Sequence, residues 1–205
     1  MSKSQVQNID IDNPIFQFAF NLIEKTNCCL FLTGSAGTGK STFLRYIRDN
    51  IKKTFVTLAP TGIAAMNVEG VTIHSFFNLP RRPLLPDDEG IKIFHKNSDK
   101  RKVIQKMDAL IIDEVSMVRA DVLDGIDTAL RKNGGDPTLP FGGKQVIFIG
   151  DIFQLAPVAQ QQTGEEDFLN KVYGSPFFFS AYCLKLLAQN GVPLVSIEMK
   201  KIYLR

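Results

Sequence analysis

The sharpest chemical signal in the chain is Gly34-Ser35-Ala36-Gly37-Thr38-Gly39-Lys40-Ser41. It satisfies the pattern G-x-x-x-x-G-K-[ST]. Glycines let the backbone curl until successive N–H groups face inward and cradle phosphate oxygens. A helix opening at Thr42 adds the positive end of its dipole at the same point. Lys40 then reaches the β- and γ-phosphates of a nucleoside triphosphate, and Ser41 ligates Mg²⁺. The alternative is a Gly-rich turn that merely starts a helix. Strand, loop, Lys and Ser in register argue against it. Gly34, Ser35, Ala36, Gly37, Thr38, Gly39, Lys40, Ser41 and Thr42 are therefore the nucleotide-binding candidates.

A second apolar run, Ala109-Leu110-Ile111-Ile112, delivers two adjacent carboxylates, Asp113 and Glu114. Ligands of open α/β sheets bind at such carboxyl ends of strands. Asp113 would hold Mg²⁺, and Glu114 would orient and activate the attacking water. By itself a solvated acid pair at a strand end is the default; beside a phosphate-binding loop, the catalytic reading leads. A third run, Val146 to Ile149, ends in Gly150-Asp151 and then presents Gln154, an amide able to hydrogen-bond a γ-phosphate or water. A Gln in a turn is usually just solvated. A fourth segment joins Leu58-Ala59-Pro60-Thr61-Gly62 to Thr72-Ile73-His74-Ser75-Phe76-Phe77. Its Thr, His and Ser suit phosphates. Phe76 and Phe77 offer either a stacking face for bases or core, with core the default for at least one.

These groups need a scaffold that aligns strand ends. Short apolar runs at 28–33, 55–58, 109–112, 145–149 and 194–197 alternate with helical patterns at 14–25, 40–52, 61–67, 119–132 and 180–190. Nearly continuous apolar strands alternating with helices predict a mostly parallel sheet covered on both faces. Residues 78–106 begin NLPRRPLLPDDEG and read as an inserted loop or small subdomain; residues 133–143 read as a loop.

Composition sets the limits. The chain has 205 residues, 44% apolar and 22% charged. That is ordinary globular composition, enough to bury about 70% of the unfolded surface without disulfide or metal staples. The net charge is +3, yet residues 81–106 hold eight basic against four acidic side chains. A local basic surplus on a near-neutral body predicts an anionic partner touching one place. Cys28, Cys29 and Cys183 have no zinc spacing and an odd count, so buried reduced thiols are expected. No apolar run reaches membrane-spanning length, and the polar N-terminus lacks a secretory core, so no membrane partner and an intracellular setting are expected.

GSAGTGKST, LAPTGIAAMNVEGVTIHSFF, LIIDEVSM and GDIFQLAPV follow in this order. Together they closely resemble the petite-integration-frequency (PIF-type) DNA helicases of superfamily 1B, relatives of the RecD-like enzymes, over residues 13–203. The resemblance implies a RecA-like P-loop NTPase domain with a small wedge-like insert at about 78–106. It implies ATP and Mg²⁺, and catalytic roles for Lys40, Glu114 and Gln154. Gln17 matches the adenine-reading glutamine. Pro60, Thr61 and His74 fall in segments that touch single-stranded DNA. The basic run with Lys100, Arg101 and Lys102 falls beside the DNA fork. The implied activity is 5′-to-3′ unwinding in replication, repair, recombination or telomere maintenance, in a nucleoid, nucleus or mitochondrion.

One departure stands out. The family carries an Arg-Gln pair after an aromatic where this chain has Tyr203, Leu204 and Arg205. The reading is an N-terminal motor domain whose second RecA-like domain, with its charge-neutralising arginines, is not in the chain. Loss of such arginines lowers turnover by about 10³–10⁵ in GTPases, so slow hydrolysis is expected. The rival readings are a P-loop ATPase that remodels protein and a non-catalytic nucleotide- or DNA-binding fragment.

Overall fold

The strands alternate their side chains between two cores. The structure, a computed structural model, describes residues 13–159, 162 and 164–200. Six parallel strands are ordered β3-β2-β4-β5-β1-β6. They are β1 (Cys29–Thr33), β2 (Phe55–Ala59), β3 (Val71–Thr72), β4 (Ala109–Ile112), β5 (Gln145–Ile149) and β6 (Leu194–Glu198). Leu110, Ile112, Val146 and Phe148 point to one face of the sheet. Ala109, Ile111, Ile147, Ile149, Leu30 and Leu32 point to the other. A period of two, buried on both sides, is why these strands read as unbroken apolar runs.

Helices α1 (Pro14–Lys25) and α2 (Lys40–Asn50) cover the second face. Phe16 meets Phe43 edge-on at 4.7 Å and Tyr46 at 5.0 Å, which docks α1 onto α2. Short helices α3 (Gly62–Asn67) and α4 (Ile73–Phe77) flank β3. The first face carries α5 (Asp99–Lys106), α6 (Ala120–Asn133), α7 (Glu165–Tyr173) and α8 (Tyr182–Gln189).

α6 is enclosed almost all round, so its acids need internal partners. Asp124 accepts the Cys183 and Tyr182 amides at 2.9 and 3.2 Å, capping α8 from another helix. Asp127 accepts from Phe141 N and Arg131 Nε at 2.5 and 2.8 Å. Burial pushes both carboxyls above the usual range, against these hydrogen bonds.

Residues 78–106 are an irregular strap across α6 that ends in a regular helix. Leu79, Leu84, Ile91, Phe94 and Ile104 join the main core, so the strap is no separately packed subdomain. Asp88 organises its turn: it grips Arg82 through both oxygens at 2.8 Å and accepts from Leu85 N and Gly90 N. That grip holds its carboxyl far below the usual range. Asn133 fastens the strap to α6, accepting Phe94 N at 2.6 Å and donating to Lys92 O at 3.0 Å. All three cysteines are buried and free. Residues 201–205, including Tyr203, Leu204 and Arg205, lie outside the described residues.

Candidate nucleotide site and nucleic-acid cleft

Register brings the chemical groups to one edge of the sheet. Leu58 pairs with Ile112, Ile112 with Phe148 and Ile149 with Leu32. The strands therefore end level. The hydrogen bonds continue past the ends: Asp113 N donates to Leu58 O, Gly150 N to Leu32 O and Met199 N to Thr33 O.

The Gly34–Gly39 loop joins β1 to α2 at this edge. Gly34 is required by close approach: a Cβ there would lie 2.5 Å from Met199 O and 2.7 Å from Thr38 Oγ1. Thr38 Oγ1 donates to Ser35 O at 2.9 Å, closing the turn. The N-cap of α2 is Gly39, in the left-handed conformation, and it supplies no side-chain cap. The first amides of α2 are thus left for another acceptor. Lys40 Nζ folds back onto Gly34 O and Ser35 O at 2.5 and 3.1 Å. Ser41 is exposed and Thr42 half-buried at the helix start. Gln17 lies half-buried on α1, the helix docked against α2.

Asp113 and Glu114 follow β4. Burial raises the Asp113 carboxyl to about 6; the Glu114 charge adds to this, while the Glu114 amide and the Lys40 charge oppose it. Lys40 is thus among the charges that Asp113 feels. Glu114 has φ 51° and ψ 43°, a strained backbone for a side-chain-bearing residue, and starts the 3₁₀ turn Val115–Met117. Gly150 lets the next strand end sit close: a Cβ there would lie 3.0 Å from Val115 N. Asp151 accepts Phe153 N at 3.0 Å, and Gln154 N donates to Asp151 O, leaving Gln154 exposed on a turn. Among the described residues no three His, Cys, Asp or Glu side chains cluster to hold a metal. A magnesium ion that keeps waters and phosphate oxygens needs only one or two protein ligands, which a Ser41 hydroxyl and an Asp113 carboxylate fit.

Beside this edge lies a cleft of about 340 Å³ lined by Pro60, Thr61, His74, Arg81, Arg119 and Glu165, among others. Thr61 caps α3 by accepting Ala64 N at 3.2 Å. Burial lowers the His74 pKa; Arg119 and Arg81 lower it further and Asp121 opposes them, which favours the neutral imidazole. Sequence patterns bring Pro60, Thr61 and His74 here but miss Arg81, Arg119 and Glu165. Arg81 is visible only as one of a basic run, and Arg119 only as the fifth residue after Glu114.

Two of the sequence expectations for nucleic acid are corrected. Phe76 and Phe77 are 8% and 0% exposed and meet each other edge-on at 4.8 Å, so neither offers a face to a base. Both fill core beneath α4. Lys100 and Arg101 are half-buried and already hold protein partners: Lys100 Nζ donates to Ser75 O and Asn78 Oδ1, and Arg101 Nη1 donates to Phe94 O. They tie α5 to α4 and to the strap. Lys102 alone of the three is solvent-facing, 3.5 Å from Asp99. Among the described residues no helix is long and apolar enough to cross a membrane.

Comparison with known proteins supplies relatives. The sequence model described as PIF1-like helicase matches residues 12–191. The ATP-dependent DNA helicase PIF1 of Emericella nidulans is 41% identical over 150 residues, 68% of this chain and 19% of that protein. The PIF1 helicase of Candida albicans is 36% identical over 179 residues, 84% of this chain and 19% of that protein. The crystal structure of Bacteroides Pif1 bound to ssDNA superposes with a TM-score of 0.76 at 39% identity, covering 93% of this chain and 42% of that one. A structure of two Pif1 helicases on forked double-stranded DNA gives a TM-score of 0.79 at 41% identity, covering 93% of this chain and 44% of that one. The chain thus spans less than half the length of these relatives.

Proposed function

The chain belongs to the PIF1-like helicase family, and from that premise we propose that it is the ATP-binding motor domain of a 5′-to-3′ DNA helicase that grips single-stranded DNA in the cleft beside its nucleotide site. One observation carries the reading: the uncapped start of α2, the Lys40 ammonium and the Asp113–Glu114 pair share one edge of the sheet. Phosphate oxygens take the free amides of α2 and draw Lys40 from the carbonyls of Gly34 and Ser35. Gln17 would read the adenine. Ser41 and Asp113 would hold a magnesium ion, which would supply charge neutralisation at the phosphates. Glu114 orients the attacking water and takes its proton; Gln154 reports the γ-phosphate from its exposed turn.

The cleft then holds the strand. Thr61 and a neutral His74 donate hydrogen bonds to phosphodiester oxygens, and Arg81 supplies charge at the mouth. Lys102, a solvent-facing cation on α5, is available to DNA outside the cleft. A second RecA-like domain of the same protein would close the nucleotide site, and closing and reopening would shift the grip along the strand. The strap over residues 78–106 is the candidate wedge at a fork.

The test is binding by this chain. Labelled oligo-dT should bind with a steep salt dependence and lose affinity in His74→Ala and Arg81→Gln, and ATP should bind more tightly with Mg²⁺ than with EDTA. No binding of oligo-dT at low salt, or ATP binding indifferent to Mg²⁺, would overturn the reading.

A further inference from the structure

Arg119 is neutralised twice. Asp121 takes its Nε and Nη2 at 2.9 and 2.8 Å in a bidentate grip. Asp121 is fully buried and also accepts Leu84 N at 3.0 Å, so this pair belongs to the framework. The remaining nitrogen, Nη1, faces the Glu165 carboxylate at 3.2 Å. One guanidinium therefore meets two carboxylates, and the second is surplus by charge. Arg119 and Glu165 both line the cleft, with side chains 15% and 20% exposed. Arg82, on the same wall, is already committed to Asp88.

Glu165 is the first residue of α7, after a Gly164 N-cap that supplies no side-chain bond. A carboxylate there is stabilised by the helix dipole whether or not it touches Arg119. Arg119 is held in place by Asp121 and by the backbone bridge to Phe177. A phosphate oxygen entering the cleft carries the charge and acceptor geometry that Nη1 wants.

We propose that Glu165 is an internal stand-in for a DNA phosphate: it occupies Arg119 Nη1 in the free protein, and a phosphodiester of the bound strand replaces it. The proposal rests on the reading of this cleft as the single-strand site. Its consequence is regulatory. Glu165 weakens capture of isolated phosphates and makes Arg119 available only when a strand fills the cleft, so grip and release share one exchangeable contact.

Labelled oligo-dT binding, titrated against salt, tests this with Glu165→Gln and with Glu166→Gln as control. The control removes the same charge one residue along, from a side chain that does not line the cleft. Glu165→Gln should tighten binding roughly twofold to tenfold at low salt, the scale of one ion pair. It should also steepen the log–log salt slope by up to about 0.7, the weight of one single-strand phosphate. Arg119→Lys, which keeps the charge beside Asp121 but loses the planar fork, should cancel that gain when combined with Glu165→Gln. Unchanged or weaker binding in Glu165→Gln, or an equal gain in Glu166→Gln, overturns the proposal. If His74→Ala and Arg81→Gln leave binding intact, the cleft is not the strand's site and both readings fall. If they weaken binding while Glu165→Gln does nothing, only the stand-in falls.

Discussion

Replacing Asp113 with Asn should stabilise the free protein at neutral pH and do little near pH 4. The carboxyl sits in a site that raises it from 3.8 to about 6, first by burial and then by the Glu114 charge. Between these limits the folded chain binds more protons than the unfolded one, so stability falls as pH rises. At 1.36 kcal/mol per pH unit the interval corresponds to at most roughly 3 kcal/mol; partial access of solvent brings this to about 2 kcal/mol. Asn never ionises, so the variant escapes that loss. Urea unfolding of both proteins across pH 4 to 8 gives the measurement, and the difference between the two curves removes every other titrating group. It should be near zero at the acid end and grow through pH 6 to a plateau. A difference that does not vary with pH, or an Asn variant less stable at pH 7, would refute the assignment of a buried, proton-hungry acid to this position. The same proton competes with a cation for Asp113, so the Mg²⁺-dependent part of nucleotide affinity should weaken as pH drops below about 6.

Lys100→Ala removes two hydrogen bonds that tie α5 to α4 and should lower stability by about 1 kcal/mol, whereas Lys102→Ala should stay within about 0.5 kcal/mol; urea midpoints separate the two. Asp124→Ala strips α8 of both capping bonds and should cost about 2–4 kcal/mol, with Asp124→Asn retaining part, read by thermal unfolding. Gly34→Ala drives a methyl against Met199 O and should weaken ATP binding about tenfold or more, because the loop must shift; calorimetric titration would show it.

Much of the candidate nucleotide site is legible because it is local. Gly34 to Thr42 is one unbroken segment, and the residues after β4 and β5 are read directly from the ends of apolar runs. The strand runs themselves are legible because a parallel strand buried on both faces has no polar positions to blur it. What escapes is set by tertiary packing. Lys100, Arg101 and Lys102 look alike in sequence, yet the first two are half-buried and donate to α4, its C-cap and the strap, while the third is exposed. Phe76 and Phe77 carry no local sign that α4 lies over the core. The two-residue β3 is too short for a period, and α5 hides behind a proline-rich stretch although Ser98 caps it by accepting Arg101 N. The left-handed Glu114 has no sequence marker, since nothing about Glu favours that backbone. The cleft draws Thr61, His74, Arg81, Arg119 and Glu165 from separated segments, so no motif contains it.

The convergence of Lys40 with Asp113 and Glu114 on one triphosphate is tested most directly by calorimetric titration of ATP, with Mg²⁺ and with EDTA, into the unaltered chain, Lys40→Ala and Asp113→Asn. Lys40→Ala should lose most of the affinity under both conditions, while Asp113→Asn should lose only the gain that Mg²⁺ confers. Equal affinity in Lys40→Ala, or an undiminished Mg²⁺ gain in Asp113→Asn, would show that these groups do not serve one bound nucleotide.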